Sequence, residues 1–278
     1  MPAAVTYVVG ALEVTLVGAG ALLLWRQVLS PGARASAPVP ALATADRPTI
    51  DVFMFLFLVL TAAFTGSLLA VQISGLARLG AGSEAAMIIN GAGAQLGMLA
   101  GAALFRLRVE HRAFVPRPLA PEVLRDGFLT FLISLPVIAV TGSLWEQLLK
   151  LLGLPVHKQD LVSLFANAGS PWLLAGMISL AVLVAPVAEE LVFRAGLFRL
   201  LRGRVPRGVA LFLPATVFAA LHVSWPTLQG LVSFAPLLAL AVVLSLAYER
   251  TGRIGTVIFA HACFNLNTIL VIFSGLDP

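Results

Sequence analysis

The sequence predicts an all-α fold, a polytopic membrane helix bundle of about eight transmembrane helices. Of the 278 residues, 59% are hydrophobic and 11% are charged, and the mean hydropathy is +0.98. These values are typical of integral membrane proteins and lie outside the range of soluble domains. Apolar runs of about 20 residues, the length that crosses a bilayer of about 30 Å as a helix, recur along the whole chain.

The apolar runs predict the individual spans. No cationic segment precedes the first run, and its first basic residue, Arg26, follows it. We therefore expect a membrane helix with its N-terminus outside rather than a cleaved signal peptide. Glu13, in the middle of this run, is expected to face the bundle or to be protonated rather than to be catalytic. The expected spans cover residues 3–25, 50–75, 85–105, 127–150, 171–201, 207–224, 228–248 and 254–274.

The segments between the spans have the composition of surface loops. Residues 27–48 are rich in Pro, Ala and Ser, and residues 106–125 hold five arginines. Residues 153–170 form a polar connection that we expect to carry a short surface helix. Within the third span, Asn90, Gln95 and several glycines are expected to make close contacts between helices, as small and polar residues do in membrane bundles.

The basic residues predict the orientation of the chain. Fourteen arginines follow the odd-numbered spans, whereas the other connections hold only Arg78, Lys150 and Lys158. Because cytoplasmic loops carry an excess of Lys and Arg, both termini are expected outside. The net charge of +5 does not indicate a nucleic-acid partner, since the basic residues are spread between apolar runs. The single cysteine, Cys263, allows no disulfide within the chain.

The fifth span contains a charged segment, residues 185–194, with the sequence APVAEELVFR. Each charge at the centre of a membrane helix costs about 2.5–3.5 kcal/mol, so three charges offset most of the apolar gain of the span. Glu190 and Arg194 have the spacing of an ion pair on one helix face, whereas Glu189 points about 100° away. We expect Glu190 and Arg194 to form a buried pair and Glu189 to be functional.

Two shorter motifs lie in the last third of the chain. Phe218 and His222 are four residues apart in the sixth span, and His261 and Asn265 are four apart in the eighth, so each pair should share a helix face. A single buried histidine is usually a packing residue. Two of them together with the glutamate segment indicate a functional cluster, because they supply acid, base and amide donors.

The three motifs carry a family resemblance. In this order, Glu189-Glu190-x-x-x-Arg194, Phe218-x-x-x-His222 and His261-x-x-x-Asn265 resemble the motifs of the CPBP (Abi) family, which includes type II CAAX prenyl endopeptidases and bacteriocin-processing or immunity proteins. All three motifs are intact, and the resemblance covers about residues 171–270. It implies an intramembrane protease that depends on a glutamate and uses no cofactor.

The resemblance also implies roles for the motif residues. Glu189 is the base that, with His222, activates a water for attack on the scissile carbonyl. His261 and Asn265 resemble the donors that stabilise the oxyanion. The supporting residues are Glu190, Arg194 and Phe218. A membrane-associated peptide or protein, prenylated or not, is the implied substrate.

Hypotheses from other classes stay open. Glu189, His222 and His261 form a set of two histidines and a carboxylate that is common in zinc sites, so a zinc-dependent protease is the chemical alternative. A non-enzymatic immunity or adaptor protein would keep the motifs for structure. A transporter would use the buried carboxylates as proton relays.

The motifs divide the chain into N-terminal membrane helices and basic loops, residues 1–125, and a catalytic helical core, residues 126–278, within one membrane-embedded unit. Counting 1.5 Å per residue from the nearest inner-side arginine places His261, Glu189 and His222 about 12, 15 and 22 Å deep. We expect a cavity that opens to the cytoplasmic half of a bacterial inner membrane.

Overall fold

The computed structural model describes residues 3–36, 39–43, 47–80, 83–111, 120–156 and 169–276, most of them helical. In this part of the chain the only β-type contact is an isolated bridge between Ser224 and Gln229, and the predicted all-α class is confirmed. Most of the polar connection expected over residues 153–170 lies outside the described residues. The helices are α1 (Ala3–Leu24), α2 (Pro31–Ala35), α3 (Ile50–Leu76), α4 (Glu84–Arg108), α5 (Pro121–Leu151), α6 (Pro171–Arg202), α7 (Arg207–Ala220), α8 (Phe234–Thr251) and α9 (Ile254–Ser274).

Among the described residues, seven helices are long and apolar enough to cross a membrane, namely α1, α3, α4, α5, α6, α8 and α9. The sixth predicted span, residues 207–224, is wrong in its bounds, because α7 has 14 residues and ends at Ala220. Side chains satisfy the carbonyl groups of its last turn. His222 Nδ1 donates to the Phe218 carbonyl at 2.8 Å, and Trp225 Nε1 donates to the Ala220 carbonyl at 3.0 Å. Backbone bonds accompany them where the helix ends, from the His222 N–H to the Ala219 carbonyl at 3.1 Å and from the Val223 N–H to the Ala220 carbonyl at 3.2 Å.

The described contacts group the chain into two compact units, each built from separated segments. The first comprises residues 1–42, 121–166 and 211–278, and α5 lies at its centre, with α1, α8 and α9 packed against it. α1 crosses α5 closely, since a Cβ on Gly20 would overlap the Leu132 carbonyl oxygen and lie 2.9 Å from Cδ of Pro136. Pro136 lacks the N–H that would normally bond this oxygen, so Gly20 covers a carbonyl that the helix leaves free.

Hydrogen bonds show which helix ends of the first unit lie together. Thr6 Oγ1, near the start of α1, donates to the Ser274 carbonyl at the end of α9 at 2.7 Å. At the other end of α9, the Leu42 N–H donates to the Glu249 carbonyl at 3.0 Å. In a bilayer, the chain between Leu42 and Glu249 must therefore cross an even number of times. Five long helices lie between them, so one further crossing is required, which we expect α7 and the turn after it to supply.

The second unit comprises residues 43–120 and 167–210, in which α3 and α4 form a hairpin. Glycines let these two helices meet backbone to backbone. A Cβ on Gly97 would lie 2.7 Å from Cα of Ala63, and one on Gly101 would lie 2.6 Å from the Leu58 carbonyl oxygen. The prediction that small residues of the third span make helix contacts is confirmed.

α3 has one buried face and one apolar exposed face. Phe55 is 2% exposed and packs edge-to-face on Phe105, with ring centroids 5.2 Å apart. The absence of a side chain on Gly196 of α6 leaves room for the Phe55 ring. The exposed face carries large side chains at helical spacing that are 63–66% exposed, a surface suited to lipid acyl chains: Phe53, Phe57, Leu60 and Phe64.

Candidate active site

α6 carries the glutamate segment and changes its winding on both sides of it. Leu180–Val184 and Leu191–Phe198 are π-helical, and Ala185–Glu190 between them is α-helical. Pro186 accounts for the first π-helical turn, because it has no N–H for the Val182 carbonyl and its ring would clash with that carbonyl in a regular α-helix. Such π-helical turns occur frequently at functional sites.

Glu190 and Arg194 form the predicted ion pair. Arg194 Nη1 donates to Glu190 Oε1 at 2.8 Å, and the side chains are 1% and 0% exposed. Taking both charges out of water is costly, and the short charge-assisted hydrogen bond offsets part of that cost. The pair therefore neutralises two of the three charges of this segment within α6 itself.

Glu189 lies in a different environment from its neighbour. Its side chain is half-buried, and its Oε1 accepts a hydrogen bond of 3.1 Å from Nε2 of Gln95 on α4. Gln95 was predicted to make a helix contact, but its partner was not predicted. The signal was weak, namely an amide within an apolar span, and nothing in the sequence linked it to Glu189.

In the first unit, the Phe218 ring contacts the imidazole rings of two histidines. Its side chain is 1% exposed. The His222 imidazole lies at a centroid distance of 4.7 Å, and the His261 imidazole meets the ring edge-on at 6.1 Å. The predicted contact between Phe218 and His222 is present, although His222 lies in the turn beyond α7 rather than on the helix. Phe218 thus fixes the positions of both imidazoles relative to one ring.

The polar residues of α9 occupy two faces. His261 is 3% exposed, and half-buried Asn265 follows it by one turn on the same face. On another face, Asn267 Nδ2 donates to Glu13 Oε2 of α1 at 3.2 Å. The prediction that Glu13 faces the bundle is confirmed.

Comparison with known proteins agrees with the motifs. Residues 171–267 match a family model described as Rce1-like, type II CAAX prenyl endopeptidase Rce1-like. This segment is similar to that family. The resemblance predicted from the three motifs is therefore confirmed, and all of them lie within the Rce1-like segment, from Glu189 to Asn265.

A curated relative is similar to this chain over a longer stretch than the family model. UPF0177 protein YbdJ of Lactococcus lactis subsp. lactis (strain IL1403) is 33% identical over 135 residues, which cover 48% of this chain and 54% of the relative. The match thus spans about half the length of that protein. No solved structure matches the chain.

The Rce1-like segment contributes site residues to both units. The second unit brings together Glu189, Glu190 and Arg194 on α6, and adds Gln95 from outside the Rce1-like segment. The first unit holds the remaining predicted residues, which are Phe218, His222, His261 and Asn265. Among the residues that the structure describes, no group of three or more His, Cys, Asp or Glu side chains is arranged to hold a metal ion.

Proposed function

We propose that this protein is an intramembrane endopeptidase that hydrolyses a peptide bond of a membrane-associated substrate with a water activated by Glu189. The observation that carries the proposal is the difference between two adjacent carboxylates. Glu190 is fully buried and bonded to Arg194, whereas Glu189 is half-buried and accepts a hydrogen bond from an amide. Two carboxylates in environments this different commonly take different roles, one structural and one in proton transfer.

In the proposed reaction, Glu189 takes a proton from water as the water oxygen attacks the scissile carbonyl carbon. The carbonyl oxygen becomes an oxyanion, which accepts hydrogen bonds from His261 and Asn265. The proton on Glu189 then passes to the leaving nitrogen as the C–N bond breaks. The products are a carboxylic acid and an amine, and Glu189 returns to its starting state.

His222 is proposed to orient the water. A carbonyl oxygen accepts hydrogen bonds and donates none, so the 2.8 Å contact of the His222 Nδ1 with the Phe218 carbonyl places the hydrogen on Nδ1. The neutral ring then presents Nε2 as an acceptor. An acceptor of this kind suits the hydrogen of the water that Glu189 does not remove.

The substrate class follows from the description of the matched family. We propose a peptide with a prenylated cysteine near its C-terminus, and an unprenylated small peptide is the alternative. The proposed location is a bacterial inner membrane, with the reaction in its cytoplasmic half. Both proposals suit a protein whose outward helix faces are apolar.

The test is cleavage of a quenched fluorescent peptide carrying a farnesylated cysteine by the detergent-purified protein, beside the same peptide without farnesyl. Glu189→Gln should abolish cleavage and leave the unfolding temperature unchanged, because glutamine keeps the shape and loses the base. Cleavage by this variant at the wild-type rate would rule out Glu189 as the base. Equal cleavage of the two peptides would rule out prenyl recognition.

A wider search covers substrates of other kinds. Membrane peptides from cells with the wild-type protein are compared with those from cells with Glu189→Gln. A peptide that accumulates uncut identifies the substrate. Identical peptide sets, together with no cleavage of either synthetic peptide, would replace the protease with the adaptor hypothesis.

A further inference from the structure

α4 brings an amide to the proposed base within the second unit. Gln95 Nε2 lies 3.1 Å from Glu189 Oε1, although 94 positions separate the two residues in the chain. Gly91, one turn earlier on α4, lies close to α6, since a Cβ there would be 3.1 Å from Cδ2 of Leu180. The missing side chain allows the two helices to approach closely at this point.

The hydrogen bond has a defined direction. An ionised carboxylate accepts hydrogen bonds and donates none, so Gln95 must present its NH₂ group to Glu189. Its carbonyl oxygen then points elsewhere. That oxygen, Gln95 Oε1, is buried and has no hydrogen-bond partner among the described residues. A buried acceptor without a donor costs free energy, and the hydrogen bond from the NH₂ group to Glu189 offsets part of that cost.

Charged groups also lie near Glu189. On its own helix, Arg194 is hydrogen-bonded to Glu190 and also attracts the Glu189 carboxylate. On α4, the charged side chains are Glu84, Arg106 and Arg108, which lie roughly 16 Å or more from Gln95 along the helix axis. Gln95 therefore supplies a directional hydrogen bond from α4 to the proposed base.

We propose that Gln95 is a positioning residue, which holds the Glu189 carboxylate in the orientation that removes a proton from water. The proposal rests on the proposed function, because it assigns Glu189 as the base. A carboxylate on a two-carbon side chain has several rotamers, and an anchored donor selects one of them. Selection of the reactive orientation accelerates the chemical step and leaves substrate binding unaffected.

The kinetic test uses Gln95→Met, which keeps the length of the side chain and removes both polar atoms. The expected result is a kcat about 10–100-fold lower with an unchanged KM for the farnesylated peptide. Asn90→Leu is the matched control. Asn90 is an amide of the same helix, and its buried Oδ1 also has no partner among the described residues. This control should cleave at the wild-type rate.

A spectroscopic test measures the hydrogen bond between Gln95 and Glu189 independently of peptide cleavage. Carboxylate stretching bands of Glu189 are identified as the infrared bands that Glu189→Gln removes. Gln95→Met should shift these bands, because they respond to loss of a hydrogen bond, and Asn90→Leu should leave them unchanged. An unfolding temperature equal to that of the wild type excludes a general loss of structure in either variant.

The outcomes separate this inference from the proposed function. If the wild-type protein cleaves the peptide, and Gln95→Met has a reduced kcat and shifted bands, both the protease and the positioning role are supported. If the wild-type protein cleaves the peptide, but Gln95→Met has an unchanged kcat or unshifted bands, the positioning role is overturned and the protease function stands. If Gln95→Met shifts the bands but the wild-type protein cleaves no peptide, the protease function is overturned, and with it the catalytic use of this contact.

Discussion

Glu189 and Glu190 are adjacent in the chain and differ in what surrounds them. One helical step rotates a side chain by about 100°, so the two carboxylates point to different neighbours. Glu190 meets Arg194 of its own helix, and Glu189 meets Gln95 of α4. A single residue step thus separates a carboxylate bound in an ion pair from one that we propose takes part in chemistry.

Loss of one partner of the buried pair should destabilise the protein. Arg194→Met leaves Glu190 as an uncompensated buried charge, and we expect a loss of about 3–5 kcal/mol in the free energy of unfolding. SDS unfolding in mixed micelles measures this change. Arg253→Met is the control, because Arg253 is 49% exposed in its ion pair with Asp126, and such pairs contribute about 0–1 kcal/mol. Equal effects of the two variants would contradict a structural role for the buried pair.

Metal dependence distinguishes two chemistries for the same residues. With Glu189 as the base, prolonged chelation should leave the cleavage rate unchanged. A zinc ion held by Glu189, His222 and His261 would be removed by the chelator, and added zinc would restore the activity. Elemental analysis of the purified protein accompanies the titration. Stoichiometric zinc with cleavage that chelation abolishes and zinc restores would replace the carboxylate mechanism.

Residue-scale prediction from the sequence succeeded where the interaction is local. The pair of Glu190 and Arg194 follows from a four-residue spacing, which helix geometry converts directly into contact. The contact of Gln95 with Glu189 could not be derived in this way, because it depends on how α4 packs against α6. An amide in an apolar span indicates a hydrogen bond but does not identify its partner.

At the scale of elements, the hairpin of α3 and α4 depends on small residues. Gly97→Leu should destabilise it by about 3 kcal/mol, because the new side chain meets the backbone of α3, which cannot move aside as a side chain can. The control is Gly75→Leu, since a Cβ on Gly75 of α3 has no atom within 4 Å. SDS unfolding compares the two variants. Similar unfolding of both would show that close contact at Gly97 is not required.

The end of α7 shows the limit of apolar periodicity. Leu221 and Val223 continue the apolar pattern, so the sequence predicted a helix to residue 224. The helix ends at Ala220, where the His222 and Trp225 side chains bond two carbonyl groups of the last turn and the His222 and Val223 N–H groups bond carbonyls three residues earlier. The two side-chain bonds are capping contacts formed by rings, and composition does not reveal them.

At the scale of the whole molecule, cysteine labelling can test the predicted orientation of the chain in the membrane. Cys263 is the single cysteine, so Cys263→Ala provides a background for labels at introduced cysteines. Labels at Ser36 and Arg204 should react with a membrane-impermeant reagent from the cytoplasmic side, and labels at Gly80 and Leu152 from the outside. The reverse pattern would contradict the orientation predicted from the arginines.

A further label tests the crossing by α7. α7 is about 21 Å long, shorter than the hydrocarbon core of a bilayer. If it crosses with the turn that follows it, a label at Leu276 should react from the outside, on the same side as the start of α1. Reaction from the cytoplasmic side would mean that α7 turns back within the membrane.

The sequence predicted the fold class of the molecule but not which of its helices pack together. Long apolar runs are sufficient for an all-α membrane protein, because the bilayer allows few alternatives to helices. The proposed division into residues 1–125 and 126–278 follows the motifs and remains a prediction. The two compact units combine segments that are distant in the chain. Which helices pack together depends on the shapes of their faces, and hydrophobic periodicity does not encode these shapes.

The discontinuous units set an order of events during synthesis. All helices of the second unit have been synthesised once residue 210 has been added, whereas α5 must wait for two of its partners, α8 and α9. Until these helices enter the membrane, the face of α5 around Gly127 lacks the close contact it later makes with α9. Lipid or the insertion machinery must cover it in the meantime. Because His261 and Asn265 emerge after every other motif, the nascent chain lacks until then the two residues that we propose stabilise the oxyanion.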